Sequence, residues 1–213
     1  METVFSRLVA TVLGKDGIAV VGFDLGGTLF DRTPLHVSST ARALGIDDAA
    51  VVTEVDRLVR EELRVGSNSN TWLPRIAHSL GIKVPNFEMA LRAKRQDLAT
   101  LQRAARMPVE AVELLISIGR NMPVRIVSQG HVDETRDLLN RSFSAVGRSV
   151  ADILVLGRDN DTDGVAKVDL LHAAFSGFEP CECLFVGDSL NDASSSAKLG
   201  LHYINFSPFS SLG

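Results

Sequence analysis

The sequence predicts an α/β protein, a doubly wound parallel sheet interrupted by an inserted α-helical unit. Three observations lead there. Five short apolar runs along the 213 residues have the character of buried parallel strands, several of them ending abruptly in polar residues. Helical periodicity fills most of the intervals between them, the βα rhythm of such a sheet. From Thr33 to about Arg106 helical pattern continues for about 70 residues with no strand-like run, the mark of a separate unit inserted into the sheet domain.

Taken in order, Val4, Phe5, Leu8, Val9, Val12 and Leu13 recur at helical spacing and predict an amphipathic helix over 3–13, packed on the sheet domain. The run Ile18 to Phe23 is the first strand, stopped by Asp24 and a Gly-Gly pair. Helices are expected over roughly 34–44, 47–64, 70–80 and 86–105, separated by Gly45, the polar stretch Gly66 to Asn70, and Gly81 to Pro85. Then come a helix over 108–119, a strand over 124–127 ending in Ser128-Gln129-Gly130, a helix over 132–142 and a strand over 152–156. A helix over 165–176, a strand over 183–186 ending in Gly187-Asp188, a helix over 191–199 and a strand over 202–206 complete the chain. The domains expected are therefore residues 1–32 with 107–213 as the α/β core and 33–106 as the helical unit. The tail from Ser207 to Gly213 reads as a loose end.

Composition narrows the function. The net charge is −4 and the five lysines are scattered, so no basic face for nucleic acid is expected. No apolar run approaches the ~20 residues that span a bilayer, and the N-terminus lacks a signal peptide's cleavage site. Cys181 and Cys183, the only cysteines, stand two positions apart and staple nothing, which points to a reducing, cytoplasmic setting.

In doubly wound sheets the ligand sits at the carboxyl ends of the strands. The polar residues expected there are Asp24, Ser128, and Asp188 with Asp192, while Lys167 opens the helix after the third strand. Three carboxylates at one rim repel one another unless a cation neutralises them. Hard oxygen ligands suit Mg²⁺, which completes its shell with water and substrate phosphate. Gly26, Gly27 and Thr28 offer backbone N–H groups to a small anion. Any one of these residues alone reads as a turn former, a helix cap or a solvated side chain; their co-occurrence at one edge carries the argument.

The stretch Val20-Val-Gly-Phe-Asp24-Leu-Gly-Gly-Thr28-Leu-Phe-Asp31 resembles the first motif of the haloacid dehalogenase-like hydrolase superfamily. Ile126-Val-Ser128 is similar to its second motif, Lys167 to its third, and Phe185-Val-Gly-Asp188-Ser-Leu-Asn-Asp192 to its fourth. The helical stretch falls where that superfamily inserts a cap. The resemblance implies a covalent mechanism on a small phosphorylated metabolite, with Asp24 as nucleophile, Lys167 balancing charge, and Ser128 bonding a phosphoryl oxygen. It further implies phosphate contacts from Gly27, Thr28, Gln129 and Gly130, and Mg²⁺ held by Asp24, the Gly26 carbonyl, Asp188 and Asp192. The cap would close over the site and choose the substrate.

One position departs from the pattern. The family's phosphatases carry a second aspartate in the first motif as general acid and base, and here that position is Gly26. Loss of a positioned acid typically costs ~10²–10⁴ in rate. His131 or His36 are the candidates to supply the proton instead, unless the leaving group needs none. Two other readings stay open: a phosphate-binding or regulatory protein without catalysis, and carbon-bond cleavage of the dehalogenase or phosphonatase type. Against the last stand the acidic fourth motif and the absence of any lysine between Lys15 and Lys83. Trp72, the only tryptophan, is expected in the cap core in preference to the site entrance. The metabolite and the oligomeric state are not readable from the sequence.

Overall fold

The computed structural model describes residues 3–64, 69–150, 152–158 and 165–209. Along the chain run α1 (Val4–Leu13), β1 (Val20–Phe23), α2 (Thr33–Ala43), α3 (Ala49–Arg64), α4 (Ser69–Ser79), α5 (Phe87–Ala104) and α6 (Val109–Gly119). Next come β2 (Val124–His131), α7 (Val132–Ala145), β3 (Leu154–Arg158), α8 (Lys167–Ala174), β4 (Cys183–Gly187), α9 (Leu190–Leu199) and β5 (His202–Asn205). Two compact units result, Met1–Asp31 with Arg106–Gly213, and Arg32–Ala105.

In the first unit the five strands form one parallel sheet in the order β3-β2-β1-β4-β5. Every residue of β1 and β4 is buried, which is why both read as continuous apolar runs rather than alternating ones. The edge strands β3 and β5 carry exposed residues at their ends. Val20, Val127, Leu170, Leu171, Phe175, Cys183 and Phe185 pack as one core cluster between the sheet and α8. Chain order reverses at β1, whose neighbours are β2 on one side and β4 on the other. That is the topological switch point, and its crevice opens beyond the carboxyl end of β1.

Strand β2 runs four residues past its apolar pattern, through Ser128 to His131, with a register shift against β3 between Val127 and His131. Close packing explains the extension: a Cβ on Gly157 would stand 2.6 Å from the Gly130 carbonyl oxygen, so only glycine lets β3 come this near. A 3-10 turn at Pro180–Glu182 precedes β4, a feature periodicity does not reveal.

The second unit is helical. Val37, Ala41, Ile46, Val55, Val59, Trp72 and Ile76 make its core, and Trp72 is only 2% exposed. Arg60 donates to Asp56 at 2.8 Å on a solvated face of α3, and Arg57 to Glu54 at 2.7 Å. The polar break expected at Gly66 to Asn70 and the last four residues of the expected tail lie outside the residues whose side chains are described. Among the described residues no helix is long and apolar enough to cross a membrane.

Candidate active site

Asp24 is the first residue past β1, and its N–H donates to Val186 O at 2.8 Å, which ties it to β4. The chain then turns through a short loop closed by Gly27 N–H to Phe30 O at 2.9 Å. Gly27 is required twice over. Its φ is +91°, and a Cβ there would stand 2.1 Å from Asp188 Oδ2. The Asp188 carboxylate thus occupies the space a side chain would fill. Thr28, fully buried, donates its hydroxyl to Asp188 Oδ1 at 3.3 Å.

Lys167, at the start of α8, reaches the same place. Its ammonium donates to Asp24 Oδ1 at 2.5 Å and to Val127 O at 2.9 Å, and lies 3.0 Å from Asp192 Oδ1. Burial alone would strip its proton, but the charges of Asp24 and then Asp192 outweigh that and hold the ammonium charged. Asp192, 2% exposed, is also the third residue of α9. Its Oδ2 accepts from Ser189 Oγ at 2.7 Å, while its N–H donates back to Ser189 Oγ at 3.1 Å. The capping box that starts the helix therefore also aims the carboxylate.

Ligand oxygens of Asp24, Asp188 and Asp192 all lie within 4.8 Å of one another. Among the described residues, Lys167 is the ammonium that faces these three carboxylates. Asp188 registers the strain: burial first, then the charges of Asp24 and Asp192, push its carboxyl up to about 7. A cluster of hard oxygen donors whose mutual repulsion a cation would relieve fits a divalent ion such as Mg²⁺.

Ser128 lies fully buried in β2, its hydroxyl oxygen accepting from Gly130 N–H at 3.1 Å. The amide of Gly27 thus donates within its loop, and that of Gly130 to a side chain of its own strand. The Gln129 side chain is exposed and accepts from Asn191 Nδ2 at 3.3 Å. Because β2 and β4 flank β1, this bond runs across the carboxyl end of β1. Gly26 pairs with Phe30 in an isolated bridge, and its φ is not among the positive values that Gly27 and others adopt.

The two candidate proton donors separate. His131 ends β2 and caps α7 in the same unit as Asp24, with a buried Nδ1 that has no hydrogen-bond partner. His36 lies in the other unit, buried, its ring 4.9 Å from that of Trp72, over which Lys94 Nζ sits at 4.9 Å. Burial, then the charges of Lys94 and Arg32, bring His36 down to about 3, so it is a neutral imidazole near pH 7. Sequence reasoning missed two supports of the cluster. One is Ser189, legible as a capping residue three positions before Asp192. The other is Tyr203, the only tyrosine, whose hydroxyl donates to Gly187 O at 2.9 Å and Ser189 O at 3.4 Å.

Solved structures similar to this chain share its fold at low identity. A haloacid dehalogenase-like family protein of Streptococcus pneumoniae superposes with a TM-score of 0.63 at 16% identity, covering 90% of this chain and 85% of that one. A hydrolase from Pseudomonas syringae gives 0.60 at 22% identity, over 92% and 88%. A protein of Haemophilus somnus described as a predicted phosphoglycolate phosphatase gives 0.66 at 17%, over 90% and 86%. No curated protein matches. Residues 18–200, from just before β1 to just past α9, match the family model of the haloacid dehalogenase-like hydrolases. With the acidic cluster and its lysine inside that span, the chain belongs to the haloacid dehalogenase-like hydrolase family.

Proposed function

We propose that this chain is a divalent-cation-dependent phosphatase that hydrolyses a small phosphorylated metabolite through an aspartyl-phosphate on Asp24. The supporting observation is the convergence of Asp24, Asp188, Asp192 and Lys167 at the switch point of the sheet. A carboxylate oxygen of Asp24 attacks phosphorus while the bond to the leaving oxygen breaks; water then attacks the acyl phosphate, releasing phosphate and restoring Asp24. Lys167 orients the nucleophile through Oδ1 and spreads positive charge over the transferring group. Ser128 donates to a phosphoryl oxygen. Asp24, Asp188, Asp192 and the Gly26 carbonyl would hold the cation, which supplies the positive charge that lets an anionic phosphoryl group approach Asp24. The Arg32–Ala105 unit is the cap of this reading and selects the substrate.

The leaving oxygen needs a proton, and Gly26 has none to give. His131 is the donor we assign. A second reading, phosphate binding without turnover, rests on the same glycine.

The test is Mg²⁺-dependent phosphate release from a panel of phosphorylated metabolites and an activated aryl phosphate. The native chain is expected to turn over at least the aryl phosphate, and Asp24→Asn to abolish it. Gly26→Asp, compatible with the backbone there, should raise the rate on unactivated esters by ~10²–10⁴. A silent native chain with an active Gly26→Asp variant would favour the binding reading. Silence from all three proteins would overturn the phosphatase assignment.

A further inference from the structure

The phenol of Tyr203 stands in register with Phe185 on β4 and packs at the border of the core beside Leu199 and Leu201. Phenylalanine would fill that space equally well. What the hydroxyl adds is a reach two and four residues beyond the register partner, to the carbonyls of Gly187 at 2.9 Å and Ser189 at 3.4 Å. These are the carbonyls of the two residues that flank Asp188. Each already has a backbone donor, Phe206 N–H on Gly187 O at 2.8 Å and Ala193 N–H on Ser189 O at 3.1 Å. The hydroxyl is therefore not needed to satisfy a buried acceptor. Its effect is to join the two carbonyls through one atom. On the opposite side the loop has no slack: a Cβ at Gly187 would stand 2.7 Å from the Asp192 carboxyl carbon, and Asp188 already fills the Cβ position of Gly27.

We infer that Tyr203 is a positioning residue for the cation site, clamping the carbonyls of the residues on both sides of Asp188 so that its carboxylate stays beside Asp24 and Asp192. The inference rests on the proposal that these three carboxylates hold a divalent cation. A ligand whose backbone rotates out of place loses affinity without any change in its own chemistry, and outer-shell partners of ligands commonly tune affinity this way. Because both carbonyls keep a second donor, the loss should be a fraction of what a ligand substitution causes.

The experiment is isothermal titration of Mg²⁺, and of Mn²⁺ as a tighter probe, into the full chain. Native protein would be compared with Tyr203→Phe, Tyr203→Leu and Asp188→Asn, with melting temperatures recorded in chelator. The expected result is a ~3- to 10-fold weaker Kd in Tyr203→Phe, the range for losing one net hydrogen bond, with a melting temperature at most a few degrees lower. Tyr203→Leu should melt lower through lost packing yet show the same Kd shift, which assigns the effect to the hydroxyl. Native affinity in Tyr203→Phe, with binding lost in Asp188→Asn, would overturn the clamp and leave the cation site standing. No binding by the native chain would overturn both. A weakened Kd in Tyr203→Leu alone would assign the role to the ring and overturn the clamp.

Discussion

At position 26 the chain keeps a carbonyl and has no side chain, whereas one residue later glycine is compelled by geometry. The two glycines look alike in the sequence and differ in cause. Gly27 answers to a left-handed φ and to the Asp188 carboxylate in its Cβ position; the φ of Gly26 is not left-handed. His36 makes the same point about titration. A lone histidine near the start of the helical unit reads more readily as a structural residue than as a proton donor, and His36 lies buried beside Trp72. Its folded-state value near 3 lies below the ordinary 6.5, so the unfolded chain binds the proton more tightly. The stability it contributes is complete above pH 6.5 and is lost as pH falls toward 3. Urea titrations from pH 7 to pH 4 should show the native chain losing about 3 kcal/mol more than His36→Gln over that interval. Parallel profiles would mean that the imidazole is not buried.

Among the elements, α9 carries more of the site than its length suggests. Its N-terminal box joins Ser189 and Asp192, so one carboxylate caps a helix, balances Lys167 and completes the acidic cluster. Ser189→Ala removes the hydroxyl that Asp192 both bonds and is bonded by. The expected cost is about 1 kcal/mol in urea denaturation, the usual worth of such a cap, and Ser189→Thr should recover most of it. An unchanged midpoint would show the box contributes nothing to stability. Strand β2 teaches the complementary lesson. Its apolar stretch ends at Val127, yet the strand continues because Gly157 lets β3 press against the Ser128–Gly130 backbone. No pattern within β2 encodes that; the cause lies in a glycine on another strand.

For the molecule as a whole, the two units have separate cores, one around Phe175 and Phe185 and the other around Trp72. All three carboxylates of the cluster lie in the first unit. Ile76, 1% exposed beside Trp72 in the second core, tests that separation. Ile76→Ala should lower the unfolding free energy seen by tryptophan fluorescence by ~2–5 kcal/mol. Since Trp72 is the only tryptophan, that signal reports its own unit. Mg²⁺ affinity should stay at the native value. A Kd that weakens as the fluorescence midpoint drops would show that the helical core supports the cation site.

The sequence by itself determined the α/β class, the five strands, the helical interruption, and the strand ends at which chemistry-bearing residues gather. Those come from short-range physics: apolar runs buried on both faces, helical periodicity, and polar residues where strands stop. Asp24, Ser128, Lys167, Asp188 and Asp192 were legible because strand ends in a parallel sheet come to one edge whatever the loops do. Tertiary structure alone decided which carboxylate oxygen meets Lys167, that Thr28 turns to Asp188, that His36 is held neutral, and that Tyr203 reaches past its register partner. Each of these depends on distances between residues far apart in the chain, and burial and Coulomb energies change steeply over a few ångströms. Local pattern carries no record of them.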